Sequence, residues 1–261
     1  MTRSLFMLGA GALALALALA GCGGRDSEVN VPSAAPTVAQ VTTASTISAA
    51  QGGAEGETTP AAVAAAKTVP RPAIIQWRIP FPARRRDEMA AYSLRHYGER
   101  EWRLRDPQLI VEHWTQTPSA SATRDVFVPD KRDGELHELP GTCSHFVIAR
   151  SGAVYQLVDL GTRCRHAFGV NWTAIGIEHV GYSDAEVMGN RRQLAASLAL
   201  TRWLRCQYGI PTRDVIGHAE TARSPYWREI KRKGRDTHDD MGPRAMRAYR
   251  SALAVRARAC A

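Results

Sequence analysis

The residue that most constrains this chain is Glu178, set inside the apolar run Ala174-Ile175-Gly176-Ile177-Glu178-His179-Val180-Gly181. An ionised carboxylate within a buried strand is costly unless it is paired or reaches a wet cleft. The strand therefore either carries a buried salt bridge or ends at a cleft, where a desolvated Glu is suited to general-base work. His179 points to the opposite face by strand alternation and is not expected to share that task.

Other strands lead to the same kind of exit. Leu109-Ile110-Val111-Glu112-His113-Trp114-Thr115 reads as a buried central strand that leaves the sheet at His113. Asp214-Val215-Ile216-Gly217 is shorter and delivers His218 in the same manner. Thr237-His238-Asp239-Asp240-Met241-Gly242-Pro243 then offers a carboxylate after a polar turn and ends at a Gly-Pro stop. A catalytic zinc takes three protein ligands and keeps one position for water. His218 and an Asp beside His238 supply two, and His113 is the candidate third.

The remaining pattern alternates helices and strands. Ala83–Tyr97 has helical spacing of Met89, Ala90, Leu94 and Tyr97 and is stopped by Gly98, with His96 expected as an exposed helical residue. The polar stretch 120–141 reads as a loop over the site. Cys143–Ala149 and Ala153–Val158 form a hairpin about Ser151-Gly152. His145, near its start, is either a substrate contact or a structural bond to the next strand. Asn190–Tyr208 is the strongest helix, its core stripe read as Leu194, Leu198, Thr201, Leu204 and Tyr208, and Gly209 and Pro211 end it. A last helix is expected over Met246–Ala261. The fold class is α/β: a central mixed β-sheet flanked by helices, one catalytic domain over 74–261, with the cleft at the strand ends.

Taken in order, the strand ending in His113, the Cys143-Ser144-His145 strand with its Gly hairpin, His166-Ala167-x-Gly169, Ile175-Gly176-Ile177-Glu178, Gly217-His218 and Asp240-x-Gly242-Pro243 resemble one family. These are the zinc-dependent N-acetylmuramoyl-L-alanine amidases, the type that includes phage lysozyme amidases and peptidoglycan recognition proteins. The resemblance spans about Leu109 to Pro243. It implies Zn2+ held by His113, His218 and Asp240, with Asp240 preferred over Asp239 because it fits the Asp-x-Gly-Pro pattern. It implies Glu178 as general base and His166 and Asn171 facing the substrate. His238 stands where the family often has lysine, two residues before the last ligand, and would stabilise the oxyanion or supply a proton. The implied reaction is hydrolysis of the amide joining N-acetylmuramic acid to L-alanine in peptidoglycan or muropeptides. Rival readings are a non-catalytic peptidoglycan-binding module of the same fold, a zinc peptidase acting on stem peptides, whose common His-Glu-x-x-His is absent, and a purely structural lipoprotein.

The ends and the charge bear on location. Met1-Thr2-Arg3 is a short positive segment, Leu5–Ala20 is apolar, and Leu19-Ala20-Gly21-Cys22 resembles the lipobox of bacterial lipoproteins. The expectation is a signal peptide over 1–21, lipidation at Cys22 and a flexible tether over 22–73, whose Ala, Thr, Ser, Gly, Val and Pro cannot bury enough apolar surface to order it. Gly23 rather than Asp after the Cys favours the outer membrane, at the periplasmic face. Cys143, Cys164, Cys206 and Cys260 remain as an even set for disulfides, with three pairings open. The net charge of +9 raises nucleic acid as a partner. No nucleic-acid-binding motif accompanies it, so an anionic extracytoplasmic polymer suits better. The expected state is a monomer.

Overall fold

The computed structural model describes residues 69–231 and 238–255. The signal segment, Cys22 and most of the expected tether lie outside the described residues, as does Cys260. Among the described residues no helix is long and apolar enough to cross a membrane.

Among the described residues the strands and α-helices follow in chain order: β1 (Ile75–Gln76), α1 (Ala83–Tyr97), β2 (Leu109–Trp114), α2 (Ala120–Phe127), β3 (Phe146–Ile148), β4 (Val154–Gln156), β5 (Ala174–His179), α3 (Asp184–Gly189), α4 (Arg191–Tyr208), β6 (Val215–Gly217) and α5 (Pro243–Val255). The strands form one mixed sheet of order β1-β4-β3-β5-β2-β6. β3 and β4 are the antiparallel hairpin, while β3-β5-β2-β6 run parallel. A mixed sheet flanked by helices is the architecture the sequence implies.

Alternation divides β2 and β5 between two faces. Ile110, Ile175 and Ile177 pack with Leu200 and Leu204 of α4 and with Tyr249 and Leu253 of α5. Leu109, Val111, Ala174 and Ile216 face the other way, against Ala167, Val170, Tyr226 and Trp227. α1 covers its own cluster of Met89, Tyr92 and Tyr97.

Four expectations need correction. Residues 120–127 form a helix rather than a loop: Ser119 caps it by accepting from Ala122 N–H at 3.1 Å, and Ala120, Thr123 and Phe127 bury one side. α5 starts at Pro243, not Met246, because proline is pre-set for the first helical position, where its missing N–H costs nothing. The buried stripe of α4 is Gln193, Ser197, Leu200, Thr201 and Leu204, more polar than expected because it covers polar groups on the sheet. His96 is only 1% exposed: its ring stacks on Tyr92 and lies 2.9 Å from Glu229 and 3.2 Å from Glu138. His145 takes the structural option, its Nδ1 accepting from Gly176 N–H and its Nε2 donating to Thr162 O. Of the open pairings, Cys143–Cys164 is formed, and Cys206 is also disulfide-bonded.

Candidate functional site

The register brings the three strand exits together. His113 pairs with Glu178 across β2 and β5, and Glu112 pairs with Gly217 across β2 and β6, so His218 follows beside His113. Paired residues of adjacent strands share a face. The carboxyl ends of parallel strands in an open α/β sheet are where ligand clefts form. Here they floor a cleft of about 790 Å3, lined among others by His113, His166, Glu178, His218, His238 and Asp240.

Asp240 reaches this point from the segment before α5. The Nδ1 atoms of His113 and His218 are 3.0 Å apart, and the Asp240 carboxylate lies 3.2 Å from the first and 3.0 Å from the second. Ligands about 2.0–2.1 Å from a tetrahedral ion stand about 3.4 Å from one another. Three donor atoms spaced at 3.0 to 3.2 Å, all buried, fit such an ion closely. Burial works against ionisation of Asp240, but the two imidazoles more than offset it and hold the carboxyl well below the ordinary carboxylate range.

The next layer holds the His113 ring from its Nε2 side. His166 Nε2 is 3.3 Å from the Ala174 carbonyl, which can only accept, so that nitrogen carries the proton. Burial, then the neighbouring His113 and His145, push the His166 pKa well below its usual value, so the ring is neutral and its Nδ1 accepts. The donor 3.1 Å away is His113 Nε2. A neutral His113 with its proton on Nε2 turns Nδ1 toward Asp240 and His218 as a metal ligand would, whereas a protonated one donates from Nδ1 to the Asp240 carboxylate. Gly176 makes room for the relay: a Cβ there would sit 2.7 Å from the His166 ring. Asn171 Oδ1 accepts from the His166 and Ala167 N–H groups at 2.9 and 2.8 Å, holding the loop that carries the relay. Both residues line the cleft, and both also support His113.

Glu178 is 8% exposed, and no side chain among the described residues hydrogen-bonds its carboxylate. Burial, reinforced by Asp240 and opposed by His218, pushes its pKa up to about 8. Of the two alternatives posed by the sequence, the acid faces a cleft, and among the described residues no basic side chain forms a salt bridge with it. His238 is the most open member, its side chain 41% exposed; its ring stacks on His218 at 4.3 Å, and its Nε2 is 3.3 Å from Glu135.

Glu135 belongs to the 129–141 segment that walls the cleft. Asp133 holds this wall by accepting from Arg165 at 2.6 Å, and Glu138 by accepting from Arg95 at 2.7 Å and from Lys231. Sequence reasoning missed these anchors, since each acid meets its partner only after the chain has folded. It also passed over Glu112, fully buried on the opposite face of β2, although an acid inside an apolar strand is the signal that singled out Glu178.

The family model described as N-acetylmuramoyl-L-alanine amidase matches residues 103–242, more than half of the chain. The chain belongs to that family and is a peptidoglycan amidase. No curated protein matches it. Among solved structures it is similar to an endolysin N-acetylmuramoyl-L-alanine amidase from Clostridium intestinale URNW, at 19% identity and a TM-score of 0.42, over 71% of this chain and 98% of that one. It is also similar to a mutant endolysin from Bacillus subtilis, at 20% identity and a TM-score of 0.45, over 69% and 98% of the two chains.

Proposed function

We propose that the chain hydrolyses the amide between N-acetylmuramic acid and L-alanine with zinc held by His113, His218 and Asp240 and with Glu178 as general base. The observation that carries this reading is the spacing of the three donor atoms, 3.0 to 3.2 Å, beside the buried Glu178 carboxylate, which no side chain among the described residues hydrogen-bonds. Bound there, zinc would supply Lewis acidity and bring the pKa of water down to about 7. Glu178 takes the proton from the attacking water and passes it to the departing alanine nitrogen. A cation at the triad would offset the Asp240 charge that raises Glu178, returning it toward the range where a base works. His238, open to the cleft, donates to the oxygen on which charge develops. His166 and Asn171 keep His113 aimed and border the substrate. The complete donor set weighs against a binding-only module.

The location is proposed from the sequence. Residues 1–21 direct export, Cys22 carries the lipid, and residues 22–73 let a monomeric catalytic domain over 74–261 reach peptidoglycan from the periplasmic face of the outer membrane. Radiolabelled palmitate incorporated by the wild type and not by Cys22→Ser would support this, whereas equal labelling would exclude it.

Digestion of purified sacculi and muropeptides, read by mass spectrometry, tests the reaction. Free stem peptides beginning with L-alanine are expected from the wild type and almost none from Glu178→Ala. Cuts within the stem peptide would instead establish a peptidase, and undiminished Glu178→Ala activity would remove the base.

A further inference from the structure

The ligand Asp240 is followed at once by Met241, a non-glycine residue at φ +51° with a fully buried side chain. Left-handed backbone at such a residue persists only where its surroundings hold it. Two sets of contacts do so. On one side Asp184, in the first turn of α3, accepts from Met241 N–H at 2.8 Å and Gly242 N–H at 2.9 Å. The same carboxylate accepts from Trp114 Nε1 at 3.0 Å, and Trp114 directly follows His113. On the other side the Met241 carbonyl lies against Gly217, where a Cβ would stand 1.6 Å from its oxygen, and Ala219 N–H donates to Asp240 O at 3.0 Å. Gly217 and Ala219 flank His218. The segment bearing Asp240 is thus fastened to the residue after His113 and to both neighbours of His218.

We infer that Asp184 is a positioning residue for the metal centre: by clamping Trp114, Met241 and Gly242 it keeps the His113, His218 and Asp240 donors at ion-binding spacing. The inference rests on the metal reading proposed above. Asp184 touches neither the donors nor the cleft and acts through the Trp114 indole and the Met241 and Gly242 backbone beside them. Removing the clamp leaves two backbone N–H groups without their acceptor and frees Met241 to leave the left-handed region, which swings Asp240 away from the histidines. Groups that orient metal ligands from behind typically change affinity by about 10- to 100-fold.

The test compares full-length wild type, Asp184→Ala and Asp184→Asn, each stripped of metal. Zinc affinity is read by competition with a chromophoric chelator, ligand geometry by the visible spectrum of the cobalt-loaded protein, and folding by the melting of the metal-free forms. A drop in zinc affinity of about 10- to 100-fold and an altered cobalt spectrum are expected for Asp184→Ala. A smaller loss is expected for Asp184→Asn, which keeps one acceptor oxygen but turns an amide N–H toward a backbone donor. Zinc affinity within twofold of wild type with an unchanged cobalt spectrum would overturn the inference, even if the metal-free variant melts lower. Should Asp184→Ala fail to fold, Asp184→Asn decides by the same criterion. A wild type that takes up no zinc would overturn the metal reading itself, a distinguishable failure.

Discussion

Glu112→Gln should make the domain more stable at alkaline pH, although it replaces a fully buried residue. Glu112 lies on the α4/α5 face of β2, accepts from Thr201 at 2.8 Å and stands 3.7 Å from His179. Burial, opposed by hydrogen bonds from Thr201 and Tyr249, pushes its pKa from 4.5 up to about 8. The folded state therefore holds this proton more tightly than the unfolded chain. The stability it contributes is fully present below pH 4.5 and is lost as the pH rises through about 8. One pKa unit corresponds to about 1.4 kcal/mol, so the wild type should lose about 3–4 kcal/mol between pH 5 and pH 8 through this one group. Gln is a neutral near-isostere that keeps the acceptor for Thr201 and carries no such slope. The difference in unfolding free energy between variant and wild type should shift by about 3–4 kcal/mol in favour of the variant over that interval. In a domain of this size that is a relative gain of roughly 6–15 °C in melting temperature. Urea unfolding of metal-free protein at both pH values, with disulfides intact, measures it directly. A variant equally destabilised at pH 5 and pH 8 would refute the buried neutral carboxyl.

Glu138 should respond in the opposite direction. Burial works against its ionisation, yet Lys231, Arg95 and His96 hold its pKa down to about 2, so its contribution is present above pH 4.5 and lost as the pH falls toward 2. Protection from amide exchange in residues 129–141, taken relative to the intrinsic rate at each pH, should therefore fall several-fold in acid, and Glu138→Gln should show that lower protection already at pH 6. His166→Phe should fill the same space without the relay to His113 and lower zinc affinity by about 10- to 100-fold in chelator competition. Removing the Cys143–Cys164 bridge, which spans 21 residues, as Cys143→Ser with Cys164→Ser should cost about 3 kcal/mol in denaturant unfolding.

What was legible in the sequence followed periodicity. β2, β5 and β6 could be read because apolar runs stop at His113, Glu178 and His218, and α1 because its spacing and Gly98 fix both ends. What escaped depends on partners far along the chain. His96 looks like a surface residue until Glu138 and Glu229 are folded against it. α2 hides in a polar stretch because a two-turn helix buries only three residues. Asp184 reads as an ordinary first-turn acid, and its bonds to Trp114 and Met241 exist only once α3 lies across the strand exit. The donor set itself was accessible because each of its residues ends or follows a recognisable element. The relay from His113 through His166 to the Ala174 carbonyl was not, since its members come from separate segments of the chain.

The central claim is metal-dependent amide cleavage at the His113, His218 and Asp240 cluster. Its most direct test strips the purified protein with a chelator, restores zinc in steps, and follows release of L-alanine-terminated stem peptides from muropeptides. Loss of release on stripping and full recovery at one zinc per chain are expected, with no recovery in His218→Ala. Undiminished release by fully stripped protein would contradict it.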